Sequence, residues 1–169
     1  MCRAIQPAAR GSDAFSRCRS MEMILFIGGQ AAGKSTFYQQ CFRDTHLRIN
    51  LDMLRTRHRE AILLEACLRM KQPFVVDNTN PTPEDRQRYI PLARAAGFRV
   101  VGYYFAIRLE IALQRNARRE GRQLIREKGV LATYRRLQRP TWSEGFDALH
   151  VVRPVGGHRF RVEDWRDEL

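Results

Sequence analysis

The sequence predicts an α/β fold in which about five parallel strands form a sheet with helices on both faces. Along the 169 residues, short apolar runs alternate with longer stretches of helical periodicity. This alternation is typical of a parallel sheet, and the chain length fits one domain. Polar residues of interest directly follow the predicted strands, and folds of this class bind ligands beyond the carboxyl ends of their strands.

The predicted strands and helices follow one another closely. Strands are expected at 23–27, 47–51, 73–77, 98–105 and 148–153, with a last strand at 158–162 after a Gly-Gly turn. Helices are expected at 33–43, 52–71, 83–97, 108–119 and 130–139. The segment 52–71 contains neither glycine nor proline, so we predict one uninterrupted helix there.

The chain divides into a basic N-terminal extension, residues 1–22, and a single domain, residues 23–169. Residues 1–20 contain four arginines and one acidic residue, Asp13. This composition fits an organelle transit peptide, a disordered basic tail, or an upstream start codon, since Met21 and Met23 directly precede the first strand. We favour the last two interpretations and assign no chemistry to the extension.

The composition argues against several classes of protein. The four cysteines lack CxxC spacing and form no zinc pattern with the histidines, so we expect free thiols in the reducing cytoplasm. No apolar run approaches the roughly 20 residues that span a bilayer, so no membrane association is expected. No pattern predicts an obligate protein partner. The net charge of +12 suits a polyanionic partner such as nucleic acid, although an arginine-rich composition can also reflect the genome.

A glycine-rich loop after the first strand is the most specific motif. It fits the pattern GxxxxGK[ST] with Gly28, Gly29, Gln30, Ala31, Ala32, Gly33, Lys34 and Ser35. The backbone N–H groups of such a loop point at phosphate oxygens, and the following helix adds its positive end. Lys34 is expected to reach the β- and γ-phosphates, Ser35 to bind Mg²⁺, and Thr36 to support the α-phosphate side. The motif therefore predicts a P-loop NTPase or kinase fold that binds ATP and Mg²⁺.

Two acidic residues follow strands at the same edge of the predicted sheet. Asp52 lies at a strand-to-helix junction, where it can cap the helix or act as a general base toward an attacking hydroxyl, and the residues alone leave both roles open. Asp77 ends an apolar strand. It can bind Mg²⁺ or its waters and pair with Ser35, or it can form a turn before Asn78; we favour the metal role.

A strongly basic segment between residues 108 and 139 predicts a lid. It contains ten basic residues and three acidic ones. Arg115, Arg118, Arg119 and Arg122 lie three to four positions apart and form one cationic helix face. A solvated helix explains most of these residues, but phosphoryl transfer needs cations on the transferring group. We predict that a lid at about 115–129 brings Arg115 and Arg119 to the nucleotide.

Several segments together have the pattern of one known family. They are Gly33-Lys34-Ser35-Thr36-Phe37, Asn50-Leu51-Asp52, Val76-Asp77-Asn78-Thr79-Asn80-Pro81, Arg86, Arg115-Asn116, Arg119 and Glu144-Gly145-Phe146. In this order they resemble the kinase domain of polynucleotide 5′-hydroxyl kinases, including the kinase half of polynucleotide kinase–phosphatases. The resemblance implies ATP-dependent phosphorylation of 5′-hydroxyl ends of DNA or RNA. It further implies that Asp52 is the general base, that Arg119 clamps the ATP phosphates, that Arg55 lies near the acceptor phosphate, and that Asn78 and Asn80 shape the substrate side.

The sequence departs from this family at Leu51, where members typically have arginine. The loss of that arginine weakens the expected contact with the acceptor. No phosphatase or ligase domain fits in the remaining residues, so we expect a stand-alone kinase module. Two alternatives stay open at this point: a P-loop kinase for a small-molecule hydroxyl (a nucleoside, sugar or antibiotic), and a nucleic-acid-binding module that only hydrolyses ATP. The basic lid argues against the first, and Asp52 argues against the second.

Overall fold

The computed structural model of the protein describes residues 21–121 and 124–167. The predictions for residues 1–20 and for Arg122 lie outside the described residues. Within the described part, no helix is both long and apolar enough to cross a membrane.

The structure contains a six-stranded sheet, which confirms the predicted α/β fold. The strands are β1 (Glu22–Ile27), β2 (Leu47–Ile49), β3 (Phe74–Val76), β4 (Arg99–Phe105), β5 (Ala148–Gly156) and β6 (Arg159–Asp164). Their order across the sheet is β2-β3-β1-β4-β5-β6. The first five are parallel, as predicted, and β6 pairs antiparallel with β5 after the Gly-Gly turn.

The seven helices of the described part connect the strands. They are α1 (Lys34–Cys41), α2 (Leu51–Leu54), α3 (Arg57–Met70), α4 (Pro83–Arg86), α5 (Ile90–Ala95), α6 (Leu109–Ala117) and α7 (Glu127–Arg136), and a 3-10 turn follows at Trp142–Glu144. The helix predicted from Val130 thus begins three residues earlier, at Glu127.

The core lies on both faces of the sheet because alternate residues of each strand point to opposite sides. On β1, Leu25 packs in a cluster with residues of α3 and α5, whereas Phe26 packs with residues of α1. Both side chains are fully buried. The near-continuous apolar sequence of β1 is therefore explained by helices covering both of its faces.

Two helices that the sequence predicts as single are each interrupted, so these predictions are wrong. In the predicted helix 52–71, Arg55 adopts a left-handed conformation with φ of 70°, and the hydroxyl of Thr56 caps a new helix by accepting from the N–H of Arg59 at 3.2 Å. The predicted helix 83–97 is divided into α4 and α5. Pro91 lacks the N–H that a continuous helix would require there.

A buried ion pair joins the segment after β3 to the segment before β5. Arg86 is fully buried, and its Nε and Nη2 donate to the two carboxylate oxygens of Glu144. Its Nη1 donates to the backbone carbonyls of Asn80, Pro81 and Gln138 at 3.1–3.3 Å. Each nitrogen of the guanidinium thus has at least one protein acceptor in place of water, as a buried cation requires.

We predict that Glu144→Gln lowers the free energy of unfolding by about 3–5 kcal/mol, because it leaves the Arg86 charge buried without its partner. Urea denaturation followed by circular dichroism measures the change. Arg69→Gln is the matched control, since Arg69 forms a highly exposed pair with Glu65 and should cost at most about 1 kcal/mol. A Glu144→Gln variant as stable as this control would contradict the structural role of the pair.

Candidate active site

The loop between β1 and α1, residues 28–35, forms a curled cradle at the carboxyl edge of the sheet. Ala31 and Gly33 have positive φ angles of 60° and 95°, which turn the backbone inward. A side chain at Gly33 would come within 2.9 Å of the ring of Phe160, so glycine is required by packing as well as by conformation. The predicted phosphate loop is therefore formed, with a strand before it and a helix after it.

The ammonium of Lys34 folds back onto this loop. Its Nζ donates to the carbonyls of Gly28 at 2.9 Å and Gly29 at 2.6 Å. The side chain is buried, and burial lowers its pKa from 10.5 to about 8, although the negative charge of Asp77 acts in the opposite direction. A nucleotide phosphate placed in the loop would supply the negative charge that favours the protonated amine.

The groups predicted to hold a metal ion lie beside Lys34. The hydroxyl of Ser35 donates to Oδ2 of Asp77 at 3.0 Å, and Asp77 is buried. A hydroxyl and a carboxylate are hard oxygen ligands and fit Mg²⁺, which typically takes one or two protein groups and completes its shell with water and phosphate. Among the described residues, no cluster of three or more His, Cys, Asp or Glu side chains forms a separate metal site.

Arg48 is a site residue that the sequence analysis missed. It lies on β2, and its guanidinium contacts both members of the Ser35–Asp77 pair, with Nε at 2.9 Å from Asp77 Oδ2 and Nη2 at 2.8 Å from Ser35 Oγ. The guanidinium also lies over the ring of Tyr38, 5.5 Å from its centroid. The available signal was a charged residue between two apolar ones in a short strand next to Asn50.

Asp52 lies in the first turn of α2, with an exposed side chain. The N-cap of this helix is Asn50, whose Oδ1 accepts from the N–H of Met53 at 3.0 Å, so the alternative role of Asp52 as the helix cap is wrong. The Nδ2 of Asn50 also donates to the backbone carbonyl of Asp77 at 2.6 Å. The carboxylate of Asp52 is thus left to face the cleft while Asn50 holds the helix.

The side-chain amide of Asn78 also holds the start of α2. The N–H of Leu51 donates to Oδ1 of Asn78 at 2.8 Å, and the Nδ2 of Asn78 donates to Glu60 at 2.7 Å. Glu60 is buried and also accepts from the hydroxyl of Tyr89 and from Arg57. Because a carboxylate only accepts hydrogen bonds, the amino group of Asn78 must face Glu60, and its carbonyl must face α2. Burial and the charge of Glu60 raise the pKa of Tyr89 to about 12, which keeps its hydroxyl protonated.

These elements enclose a small polar cleft of about 130 Å³. Its lining consists of residues 30–36 together with Asn50, Asp52, Asp77, Asn78, Thr79, Arg119 and Ile125. A larger cavity of about 650 Å³ lies at the opposite edge of the sheet, near the beginnings of β1, β2 and β3. It contains no residue of the phosphate loop, so the smaller cleft is the candidate active site.

The predicted lid arginines differ in their positions. Arg119 lines the cleft, and its positive charge lowers the pKa of Lys34. Arg115 does not line the cleft; its charge acts on Tyr134, whose pKa burial raises to about 12. Arg119 therefore lies at the cleft and Arg115 outside its lining, and contact of either residue with the nucleotide stays a prediction.

Helix α7 covers the outer side of the phosphate loop. The Nε2 of Gln30 donates to the hydroxyl of Thr133 at 2.8 Å, and the hydroxyl of Tyr134 donates to the carbonyl of Gln30 at 3.4 Å. The Tyr134 ring lies so close to Gly29 that a Cβ there would come within 2.0 Å of it. Helix α7 therefore closes the side of the phosphate loop that carries Gly29 and Gln30.

The structure places two predicted substrate residues outside the cleft lining. Asn80 is buried, and its Nδ2 donates to the carbonyl of Phe26 at 2.8 Å. Arg55 is exposed at the end of α2. Asn78 does line the cleft. The described contacts give Asn80 a structural task, and contact of any of the three with substrate stays a prediction.

Comparison with known proteins gives a family for this chain. A family model described as an AAA domain (AAA_33) matches residues 23–140. The sequence is also 27% identical over 142 residues to the bifunctional polynucleotide phosphatase/kinase of Schizosaccharomyces pombe. That similarity covers 82% of this chain but 35% of the relative, so the chain spans about a third of the relative's length.

Solved structures of several kinds share this fold. Kti12 of Chaetomium thermophilum in complex with ADP-AlF3 has a TM-score of 0.63 at 17% identity, covering 78% of this chain and 88% of that chain. A gluconokinase of Sinorhizobium meliloti has a TM-score of 0.55 at 16% identity, covering 81% and 85%. The APS kinase CysC of Mycobacterium tuberculosis, in complex with AMPPNP and APS, has a TM-score of 0.51 at 16% identity, covering 81% and 90%. At these identities the likeness shows the fold alone.

We predict that the affinity for ADP changes little between pH 7 and about 8 and falls as the pH rises further. Lys34 has a lowered pKa of about 8 in the free protein, so above that pH a proton must be taken up when the phosphate binds. The dissociation constant should rise by up to about tenfold per pH unit. Isothermal titration calorimetry between pH 7 and 9.5 measures this, with Lys34→Met as the control that should lose the dependence. An affinity for ADP that does not change across this range would contradict the prediction.

Proposed function

The chain belongs to the AAA domain family of P-loop kinases, and from this membership we propose that it transfers the γ-phosphoryl group of ATP to the 5′-hydroxyl end of a DNA or RNA strand. The observation that supports this most directly is the exposed carboxylate of Asp52, which lines the same cleft as Lys34 and has no capping role. The similarity to the kinase-containing relative supports the same acceptor. Because the chain spans about a third of that relative, no phosphatase activity is proposed.

The phosphate loop and the lid would hold the ATP phosphates. Backbone N–H groups of residues 28–35 would surround the phosphates, and Lys34 and Arg119 are cationic side chains in the lining of the cleft. Mg²⁺ bound with the nucleotide would be held by Ser35 and Asp77, and when bound it neutralises phosphate charge. Fixed cations around the transferring group stabilise the charge that develops on its oxygens.

Asp52 would act on the acceptor. Its carboxylate accepts the proton of the 5′-hydroxyl while the 5′ oxygen forms a bond to the γ-phosphorus and the bond to the β–γ bridging oxygen breaks. The products are a 5′-phosphorylated strand and ADP, and the proton stays on Asp52 until solvent removes it. The α2 helix supports this role because Asn50 and Asn78 hold its first turn at the cleft.

The charge of the protein supports a polyanionic acceptor. The net charge is +12, and the basic segment at 108–139 contributes Arg119 and Ile125 to the cleft lining. A small neutral acceptor does not need such a surface, whereas a strand with several phosphates does. Arg55 and Arg115 are proposed to contact the acceptor and the nucleotide, respectively.

The test uses γ-labelled ATP, Mg²⁺ and short DNA and RNA oligonucleotides with either a 5′-hydroxyl or a 5′-phosphate. We expect label only on the 5′-hydroxyl strands. Asp52→Asn should lower kcat by about 10²–10⁴-fold, the usual size of a general base effect, with ADP affinity unchanged. Asp44→Asn, which changes an exposed acid at the opposite edge of the sheet, is the matched control and should retain full activity.

The alternatives give different results in the same assay. No label on any strand, together with intact ATP binding, would contradict the proposed acceptor and favour a small-molecule hydroxyl. Hydrolysis of ATP that nucleic acid stimulates, without labelled product, would favour a module that only hydrolyses ATP. Full activity of Asp52→Asn on 5′-hydroxyl strands would contradict the assignment of the base.

A further inference from the structure

Arg48 places a positive charge where the two proposed Mg²⁺ ligands meet. Its Nη2 lies 2.8 Å from Ser35 Oγ, and both Nε and Nη2 donate to Asp77 Oδ2. The guanidinium therefore bridges the hydroxyl and the carboxylate, the two groups that would hold Mg²⁺. Asn50 and Asn78 join the segment after β3 to α2 independently of this contact.

The hydroxyl of Ser35 is a group that both the guanidinium of Arg48 and a metal ion would contact. A serine hydroxyl has one hydrogen to donate and two lone pairs to accept with. Its hydrogen is directed to Asp77 at 3.0 Å, which leaves its lone pairs for a ligand. Arg48 Nη2 occupies one of them. A metal ion bound through the remaining lone pair would therefore lie next to the positive charge of Arg48.

Neighbouring residues hold Arg48 in place. It belongs to β2, whose backbone pairs with β3 at Val75, and its guanidinium lies over the ring of Tyr38. Its side chain retains 24% exposure, whereas that of Asp77 retains 1%. The carboxylate is thus buried against a cation that is anchored in the sheet, and its negative charge is already compensated without metal.

We propose that Arg48 acts as an internal counter-ion that keeps free divalent cations out of the Ser35–Asp77 site until a nucleotide is bound. A metal ion that binds beside Arg48 is repelled by the guanidinium charge. A metal ion that displaces Arg48 loses the ion pair between Arg48 and Asp77, so metal alone gains little in either case. Nucleotide phosphates add several negative charges to the cleft and give both cations partners. The protein thereby takes up metal together with the nucleotide rather than before it. This inference rests on the proposed use of Mg²⁺ but not on the identity of the acceptor.

The experiment measures Mn²⁺ binding to the full-length protein by electron paramagnetic resonance, with no nucleotide present. Wild type should bind weakly, and Arg48→Gln should lower the dissociation constant at least about tenfold because one cation is removed from the carboxylate. Arg48→Met is the second variant in case the first does not fold, since its unbranched side chain still packs on Tyr38. Arg48→Lys keeps the charge and should bind as weakly as wild type. Arg69→Gln removes the same charge from the end of α3 and should also match wild type.

Two further measurements locate the effect and separate it from the proposed function. The double variant Arg48→Gln with Asp77→Asn should lose the gain in affinity, because the carboxylate is the binding group. A second series adds ADP, where wild type should bind Mn²⁺ tightly. If both Arg48→Gln and Arg48→Met bind free Mn²⁺ as weakly as wild type while ADP restores binding, the inference is wrong and the metal site stands. If ADP restores no binding either, the assignment of Ser35 and Asp77 to the metal fails as well.

Discussion

The short segment that follows β3, residues 77–80, is hydrogen-bonded on both sides, and the candidate site depends on this double attachment. Toward β1 it is hydrogen-bonded to Gly28, the first residue of the phosphate loop, and to Phe26 near the end of the strand. Toward β2 it is hydrogen-bonded to the last residue of that strand and to residues at the start of α2. The hydrogen bonds toward β1 are Gly28 N to Thr79 O and Asn80 Nδ2 to Phe26 O; those toward β2 are Asp77 N to Ile49 O, Asn50 Nδ2 to Asp77 O, and Leu51 N to Asn78 Oδ1. The nucleotide side and the proposed base are thereby held at a fixed separation.

Two buried charged groups stabilise this segment from opposite directions. Glu60 holds the side chain of Asn78, and Arg86 holds the carbonyls of Asn80 and Pro81 while it pairs with Glu144. Burying a charge is costly unless every polar atom finds a partner, so both groups impose one arrangement on the loop. Asn78, Asn80, Arg86 and Glu144, which belong to the pattern that resembles polynucleotide 5′-hydroxyl kinases, therefore make contacts within the protein that shape the site.

The features that the sequence predicts well are those with local causes. The phosphate loop is recognised because glycine, lysine and serine occur at fixed spacing between an apolar strand and a helix, and the structure has each of these in place. The central strands β1, β3 and β4 are recognised because their runs of apolar residues are buried on both faces of the sheet. The α/β fold could thus be derived from patterns within about ten neighbouring residues.

The features that the sequence does not reveal depend on distant partners. Arg48 meets Ser35 and Asp77 at separations of 13 and 29 positions, and Arg86 meets Glu144 at a separation of 58. Glu60 resembles an exposed helix acid until Tyr89, 29 positions away, packs against it. The break before α3 also escaped prediction, because Arg55 takes a left-handed conformation without the glycine that usually signals one.

The central claim is that the loop at 77–80 positions Asp52 for catalysis, and a double-mutant cycle between Asn78 and Asp52 tests it most directly. The rate of phosphoryl transfer to a 5′-hydroxyl oligonucleotide is measured for Asn78→Ala, Asp52→Asn and the double variant, with ADP affinity as the control for the nucleotide site. If Asn78 acts through Asp52, Asn78→Ala lowers kcat by about tenfold, the value of one hydrogen bond, and has almost no further effect once Asp52 is replaced. An equal loss in both backgrounds would show that Asn78 supports the fold or the nucleotide instead, and would contradict this account.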